Sequence, residues 1–436
     1  MTALCLVLTI LLSYLTGAIP FGYLIARWRG VDILKQGSGN IGATNVGRVL
    51  GRPFGILVFL LDFAKGAGPA LAAKWFASTH ALELPADSLP VAAAVAAFLG
   101  HLYPIYLHFR GGKGVATAAG AVSVLLSGPA LVALFIWFAV VLASRYVSLA
   151  SLAAAVALCV ARLIVAPQPW SAEQRILTLF CLIAAGFIFL RHRANIGRLL
   201  HGNENRLKET PAMLHLTKIL HVLTLGLWFG TTIFFSFVVG LSLFGTFEKV
   251  AAEPTEKREA WFPMWNVYDG PSPDPALPQP LRKEQGSRAA GAALAPLFHG
   301  YFGIQAVCAV LATATALSWR RMGTGRIHAG RASVLLAALV MVALGWWLLR
   351  AVEDYREPRN RTFDAMVSHS PPRAEDVRAA VEARQTFARW HLYSLGVNML
   401  TVLLVTIAMA QAAYLPTPVQ ENKTSVSNKE DKTHAS

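Results

Sequence analysis

Six stretches of this chain, residues 1–26, 88–109, 114–144, 219–247, 289–319 and 390–420, contain no Asp, Glu, Lys or Arg. Each is long enough to cross a bilayer as a helix, which takes about 20 apolar residues. Composition agrees: 55% of the 436 residues are hydrophobic and 14% are charged, against roughly 25% charged in ordinary soluble domains. A soluble fold cannot bury that much apolar surface, because surface falls too slowly with size. A soluble enzyme, a secreted disulfide scaffold and a disordered tail protein are all excluded. Cys5, Cys159, Cys181 and Cys308 lie in apolar segments without CxxC spacing, so they read as packing residues. The chain reads as an all-α polytopic membrane protein.

The formal charge of +15 would point a soluble protein toward nucleic acid. No basic stripe with interleaved aromatics supports that partner here. Cytoplasmic loops rich in Lys and Arg explain the excess instead, since they orient the helices and meet anionic lipid. With the N-terminus outside, residues 27–52, 108–113, Arg145, 191–218 and 320–331 all fall on the cytoplasmic side, as does the C-terminus. The first run lacks a basic leading segment and is longer than a signal-peptide core, so it is expected to span.

Further helices are expected at about 53–74, 88–109, 114–127, 129–144, 146–166 and 174–191. Ser127-Gly128-Pro129 divides the long third run by its turn chemistry. A basic polar linker, 192–218, precedes four more helices at about 214–246, 292–319, 332–350 and 390–414. Two long loops, 247–291 and 351–389, separate them, the first rich in proline. The organisation is then seven helices in 1–210, four in 211–420, about 11 spans in all, and a polar tail 421–436 expected to be disordered and cytoplasmic.

Three polar, glycine-bearing segments fall on the expected cytoplasmic side. The first, GSGNIGATNVGR over 37–48, contains a nominal dinucleotide fingerprint, but no strand or βαβ unit surrounds it. It offers Ser38, Gly39, Asn40, Thr44 and Asn45, whose small side chains and backbone N–H groups can converge on an anion. Arg48 can grip that anion with two hydrogen bonds. The bland alternative is an ordinary turn. The second, HLYPIYLHFRGGKGVAT over 101–117, fails the P-loop pattern, yet Gly111, Gly112 and Gly114 allow close backbone approach. Lys113 supplies charge, and a helix begins there with its positive dipole end. A positive cluster on a flexible turn is the competing reading, and His101 reads as a buried hydrogen-bonding residue. The third combines RYVSLAS (145–151) with RHRANIGRLLHGNE (191–204), placing Ser148, Ser151, His192, Asn195, Arg198 and Glu204 within reach of a site. Asp62 and Lys65, three apart within a span, share a helix face and are expected to tie helices together.

Taken together, SGNIGATNVGR, HLYPIYLHFRGGKGVAT and RHRANIGRLLHGNE, with the intervening LDFAKG, resemble the signature motifs of the PlsY family of bacterial membrane glycerol-3-phosphate acyltransferases. The resemblance covers about residues 1–210. It implies a seven-helix enzyme of the bacterial inner membrane that moves a fatty acyl group from acyl phosphate to the 1-hydroxyl of glycerol 3-phosphate. Lysophosphatidic acid would be the product, at the first step of phospholipid synthesis. Ser38, Arg48, Lys113, Ser148 or Ser151, His192 and Asn195 match the family's substrate-binding and catalytic positions. Arg110 and Asn203 depart from the family's usual Lys and Thr but keep charge or polarity. The soluble enzyme that makes acyl phosphate becomes a candidate partner.

The chemistry fits. Both substrates carry phosphate, so the site needs Arg, Lys and N–H donors. Acyl phosphate is already activated, so neither a covalent nucleophile nor a cofactor or metal is expected. The attacking hydroxyl needs a proton acceptor, either His192 or substrate phosphate. Lys113 and Arg48 would stabilise the developing oxyanion and leaving phosphate. An anion or lipid transporter using the same loops is the rival class, because broken helices and intramembrane charges serve both. In 211–420, His221 and Trp228 share a helix face. Haem or copper between His221, His299, His328 or His391 is a weaker reading there than packing.

Overall fold

The computed structural model describes residues 2–207, 210–252, 279–320, 325–368 and 372–415. The chain divides into two compact units, residues 1–208 and 209–436.

The first unit holds α1 (Thr2–Ala18), α2 (Phe21–Trp28), α3 (Ala43–Leu50), α4 (Arg52–Thr79) and α5 (Ser88–Leu102). They are followed by α6 (Val115–Leu125), α7 (Ser127–Ser144), α8 (Val147–Val165), α9 (Arg175–Arg191) and α10 (Arg193–Leu200). Membrane helices lack a hydrophobic drive toward each other and associate where small residues let backbones meet. That is how this bundle is built. A Cβ on Gly66 of α4 would lie 2.0 Å from the Thr117 carbonyl oxygen of α6, and one on Gly120 would lie 2.1 Å from that of Phe63. Gly17 and Gly100 join α1 to α5 in the same way, 2.0 Å from Ala97 and 2.3 Å from Tyr14. Large apolar side chains such as Leu4, Leu8, Leu12, Leu131 and Leu134 face outward, as a lipid environment requires.

The second unit comprises α11 (Pro211–Ile233), α12 (Gly240–Ala252), α13 (Gln279–Ser318), α14 (Gly325–Val367) and α15 (Ala374–Gln411). A six-residue π-helical stretch, Phe234–Val239, joins α11 to α12, so the two run on as one span. Its core is Leu225, Trp228, Tyr301, Phe302, Leu335 and Val405 among others. Within it His221 Nδ1 lies 2.7 Å from Thr315 Oγ1, and Trp319 packs edge-on against His221. Arg331, wholly buried, donates to the Gln411 and Tyr414 carbonyls at 2.6 and 2.8 Å, holding the end of α15.

The protein is an integral, multi-pass membrane protein. All eleven expected helical segments are present, and among the described residues nine helices are long and apolar enough to cross a bilayer, or ten if bent α9–α10 forms one span. α6, with 11 residues, is too short to cross. Three expectations about loops are corrected; in the first, residues 247–252 and 279–291 of the loop expected at 247–291 belong to α12 and α13. Residues 351–367 and 374–389, read as parts of a loop, are the polar ends of α14 and α15. Side-chain pairs support this helical extension, including Arg361 with Glu357 one turn away and Arg288 with Asp364 at 2.7 Å. Residues 43–50, read as part of a loop, form α3. The proline-rich 271–280 segment lies mostly, and the 421–436 tail wholly, outside the described residues.

Candidate active site

Motif one is half loop and half helix. Asn45, 2% exposed on the first turn of α3, organises the preceding loop: its Oδ1 accepts the Ser38 N–H at 2.8 Å. Its Nδ2 donates to the Gln36 and Asn40 carbonyls at 3.0 and 2.9 Å. Asn40 in turn accepts the Gly42 N–H at 2.8 Å, an Asx turn leading into the helix that carries Thr44 and Arg48. The two amides thus shape the loop that presents Ser38 and Gly39.

The glycine loop connects α5 to α6. The need for glycine is plain in the geometry, as two of the loop's three glycine positions show. Gly114 sits at φ +83°, a left-handed conformation, just before α6. At Gly112 a Cβ would stand 2.1 Å from His101 Nε2, so only hydrogen fits. The Gly112 N–H donates to the His101 carbonyl at 3.1 Å. Arg191, at the end of α9, donates to the Gly112 and Gly111 carbonyls at 3.0 and 2.8 Å while lying 5.6 Å from the Tyr103 ring centroid. With its carbonyls held outward this way, the loop is fixed on both sides.

α9 and α10 meet at an angle of 59°, with His192 at the corner and Asn195 on α10. The chain then folds back, Leu207 N–H pairing with the Arg145 carbonyl at 2.9 Å and Arg206 lying over Tyr146. This return brings Glu204 into the site as a hub. Its Oε1 accepts from Asn195 Nδ2 at 2.7 Å and Ser148 Oγ at 3.0 Å, and its Oε2 accepts from Arg198 Nε at 2.8 Å. Lys113 Nζ donates to Asn195 Oδ1, so motifs two and three close on each other.

Burial pulls the Lys113 ammonium down to about 8; Glu204 works against this, while Arg198, Arg48 and Arg191 add repulsion. The same interactions place Arg48 of motif one in electrostatic range of Lys113. Three guanidiniums and one carboxylate thus act on Lys113, a net positive charge that favours an anionic ligand. His192 is 2% exposed, and its Nδ1 lies 2.8 Å from the Ile188 carbonyl. A carbonyl only accepts, so Nδ1 carries the proton and Nε2 keeps its lone pair.

The structure thus brings Ser148, Asn195, Arg198 and Glu204 together with Lys113. Ser151, one turn along α8, instead donates to the Val147 carbonyl at 2.9 Å and accepts from Trp137 Nε1 at 3.4 Å. Arg191 is the site residue that reading the sequence missed. Its signal is the RHR run at a span boundary, where a second arginine looks like ordinary orienting charge.

Residues 7–202 match the family described as glycerol-3-phosphate acyltransferase. A glycerol-3-phosphate acyltransferase from Desulforamulus reducens is 41% identical over 207 residues, 47% of this chain and 96% of that protein. One from Aquifex aeolicus is 44% identical over 198 residues, 45% of this chain and 96% of that protein. A crystal structure of PlsY, an integral membrane glycerol 3-phosphate acyltransferase in its glycerol 3-phosphate form, is 38% identical. It covers 47% of this chain and 96% of its own, with a TM-score of 0.42. With relatives 41% and 44% identical that it covers over 96% of their length, this chain belongs to the glycerol-3-phosphate acyltransferase family.

Proposed function

We propose that the first unit transfers a fatty acyl group from acyl phosphate to the 1-hydroxyl of glycerol 3-phosphate, releasing inorganic phosphate and giving lysophosphatidic acid. The observation that carries this reading is the convergence of Lys113, Asn195, Arg198, Glu204 and Ser148 beside a glycine loop that Arg191 holds. Such a site suits two phosphate-bearing substrates and offers no preformed nucleophile, which an already activated acyl donor does not need.

In this scheme the 1-hydroxyl oxygen attacks the acyl carbonyl carbon, and the bond from that carbon to the phosphate oxygen breaks. Lys113 and Arg48 stabilise the oxyanion and the departing phosphate. Ser38, Gly39, Asn40, Thr44 and Asn45 supply the first loop, and Gly111, Gly112 and Gly114 the second, around the phosphates. Ser148, rather than Ser151, faces substrate, because it shares Glu204 with Asn195. The hydroxyl proton passes to His192 Nε2 or to a substrate phosphate oxygen, both of which accept. The basic loops favour a cytoplasmic site, where a soluble enzyme supplying acyl phosphate would be the partner.

The test is conversion of labelled glycerol 3-phosphate by the full chain in lipid nanodiscs. Lysophosphatidic acid should form with acyl phosphate and not with acyl-CoA, and the Lys113→Ala variant should lose roughly 100-fold or more in kcat. No product from the wild type, or full turnover by Lys113→Ala, would sink the reading.

A further inference from the structure

One cluster of ionisable side chains beneath the site has no part in the scheme above. Asp62 and Lys65 of α4 and His101 of α5 are 3%, 4% and 3% exposed. Lys65 Nζ lies 2.9 Å from Asp62 Oδ1 and donates to the Ile19 carbonyl at 2.7 Å, in the break between α1 and α2. His101 Nδ1 lies 3.7 Å from the same Asp62 oxygen. Ionisable groups inside a span are costly and are retained where they do something. A plain tie between helices needs only the Asp62–Lys65 pair and the Ile19 carbonyl. The third member faces elsewhere.

His101 touches the glycine loop twice. Its carbonyl accepts the Gly112 N–H at 3.1 Å, and its ring lies where a Gly112 Cβ would be, 2.1 Å from Nε2. The imidazole is therefore the seat on which the α-carbon of Gly112 rests, immediately before Lys113. The Nδ1 of the ring faces Asp62 across 3.7 Å, beyond hydrogen-bond reach, so the carboxylate restrains the ring by charge alone. A carboxylate beside Nδ1 attracts the tautomer with the proton there and resists a ring flip. Lys65 balances the carboxylate charge, so the anchor is not an unpaired buried ion.

We infer that Asp62 and His101 are positioning residues for acyl transfer. Asp62 fixes the His101 ring, the ring sets the height of Gly112, and that height places Lys113 Nζ against Asn195. Arg191 holds the same loop from the opposite side through the Gly111 and Gly112 carbonyls. Displacement of a catalytic group by about 1 Å is enough to cost on the order of 100-fold in rate. The inference rests on the reading of Lys113 as the phosphate-binding lysine.

The experiment measures kcat/KM, its pH profile and the thermal midpoint in nanodiscs for the full chain. Wild type and Lys113→Ala come first: if the wild type makes no lysophosphatidic acid, the functional reading fails, whatever the triad does. With that activity in hand, Asp62→Asn alone leaves Lys65 unpaired and should lower both stability and rate. The double variant Asp62→Asn with Lys65→Met removes the pair without leaving a lone charge. It should regain the wild-type thermal midpoint yet stay at least tenfold low in kcat/KM, with the Lys113-dependent basic limb displaced. His101→Ala should lose activity to a similar degree, and His101→Gln, which keeps an amide near the seat, should recover part of it. A double variant with wild-type midpoint, rate and pH profile would overturn the inference, leaving a purely structural tie. If the double variant does not fold, the histidine pair decides: equal, full activity in both overturns the inference, and graded loss upholds it.

Discussion

Lys113 offers a prediction in which the perturbation and its direction both come from the site. Burial lowers this lysine to about 8, with Glu204 as the opposing influence. Lowering means that the charged form is complete below pH 8 and is lost above it. If the charge is what stabilises the leaving phosphate, kcat/KM of the free enzyme should fall about tenfold per pH unit above that point. At pH 9 about one-tenth of the enzyme would remain competent. Two substitutions should move this limb in opposite directions. Glu204→Gln removes the group that raises Lys113, so the fall should begin below pH 8. Lys113→Arg places a guanidinium that stays charged past pH 12 or so, so the limb should vanish below pH 10, at some cost in absolute rate because the fork geometry differs. The assay is the initial rate of lysophosphatidic acid formation at subsaturating glycerol 3-phosphate, from pH 6.5 to about pH 9.5. A limb that stays in place in Lys113→Arg would refute the assignment of charge loss to this residue.

Two further outcomes follow from the same geometry. Gly112→Ala should abolish acyl transfer while the protein still inserts, since its Cβ would meet His101 Nε2 at 2.1 Å; activity assay alongside thermal melting checks this. Ser148→Ala should cost about 1 kcal/mol of the Glu204 network, or roughly fivefold in kcat/KM, whereas Ser151→Ala should leave the rate within about twofold, because its hydroxyl bonds to its own helix and to Trp137 and not to Glu204.

The sequence carries the membrane class, the division near residue 210 and all three motifs, because apolar runs and glycine-rich polar breaks are local signals. What it conceals is tertiary. Ser148 and Ser151 lie three apart on one face of α8, so no spacing argument separates them; the return of the 201–207 segment along Arg145 does. Arg191 looks like orienting charge until the carbonyls of Gly111 and Gly112 are seen in front of it. Residues 351–367 and 374–389 look like loop because charge density interrupts the apolar run, although charged residues continue a helix well once they leave the lipid. Asn40 and Asn45 look like substrate donors, while the structure also engages them with their own backbone.

The glycine contacts between α1 and α5, and between α4 and α6, have a mechanical consequence. At these crossings main chain lies on main chain, with no side chain between to change rotamer and absorb a displacement. Such joints act like bolted seams: the frame transmits load but does not flex. An acyl chain bound by this unit would have to be accommodated away from these two crossings, which have no soft layer on which to slide apart.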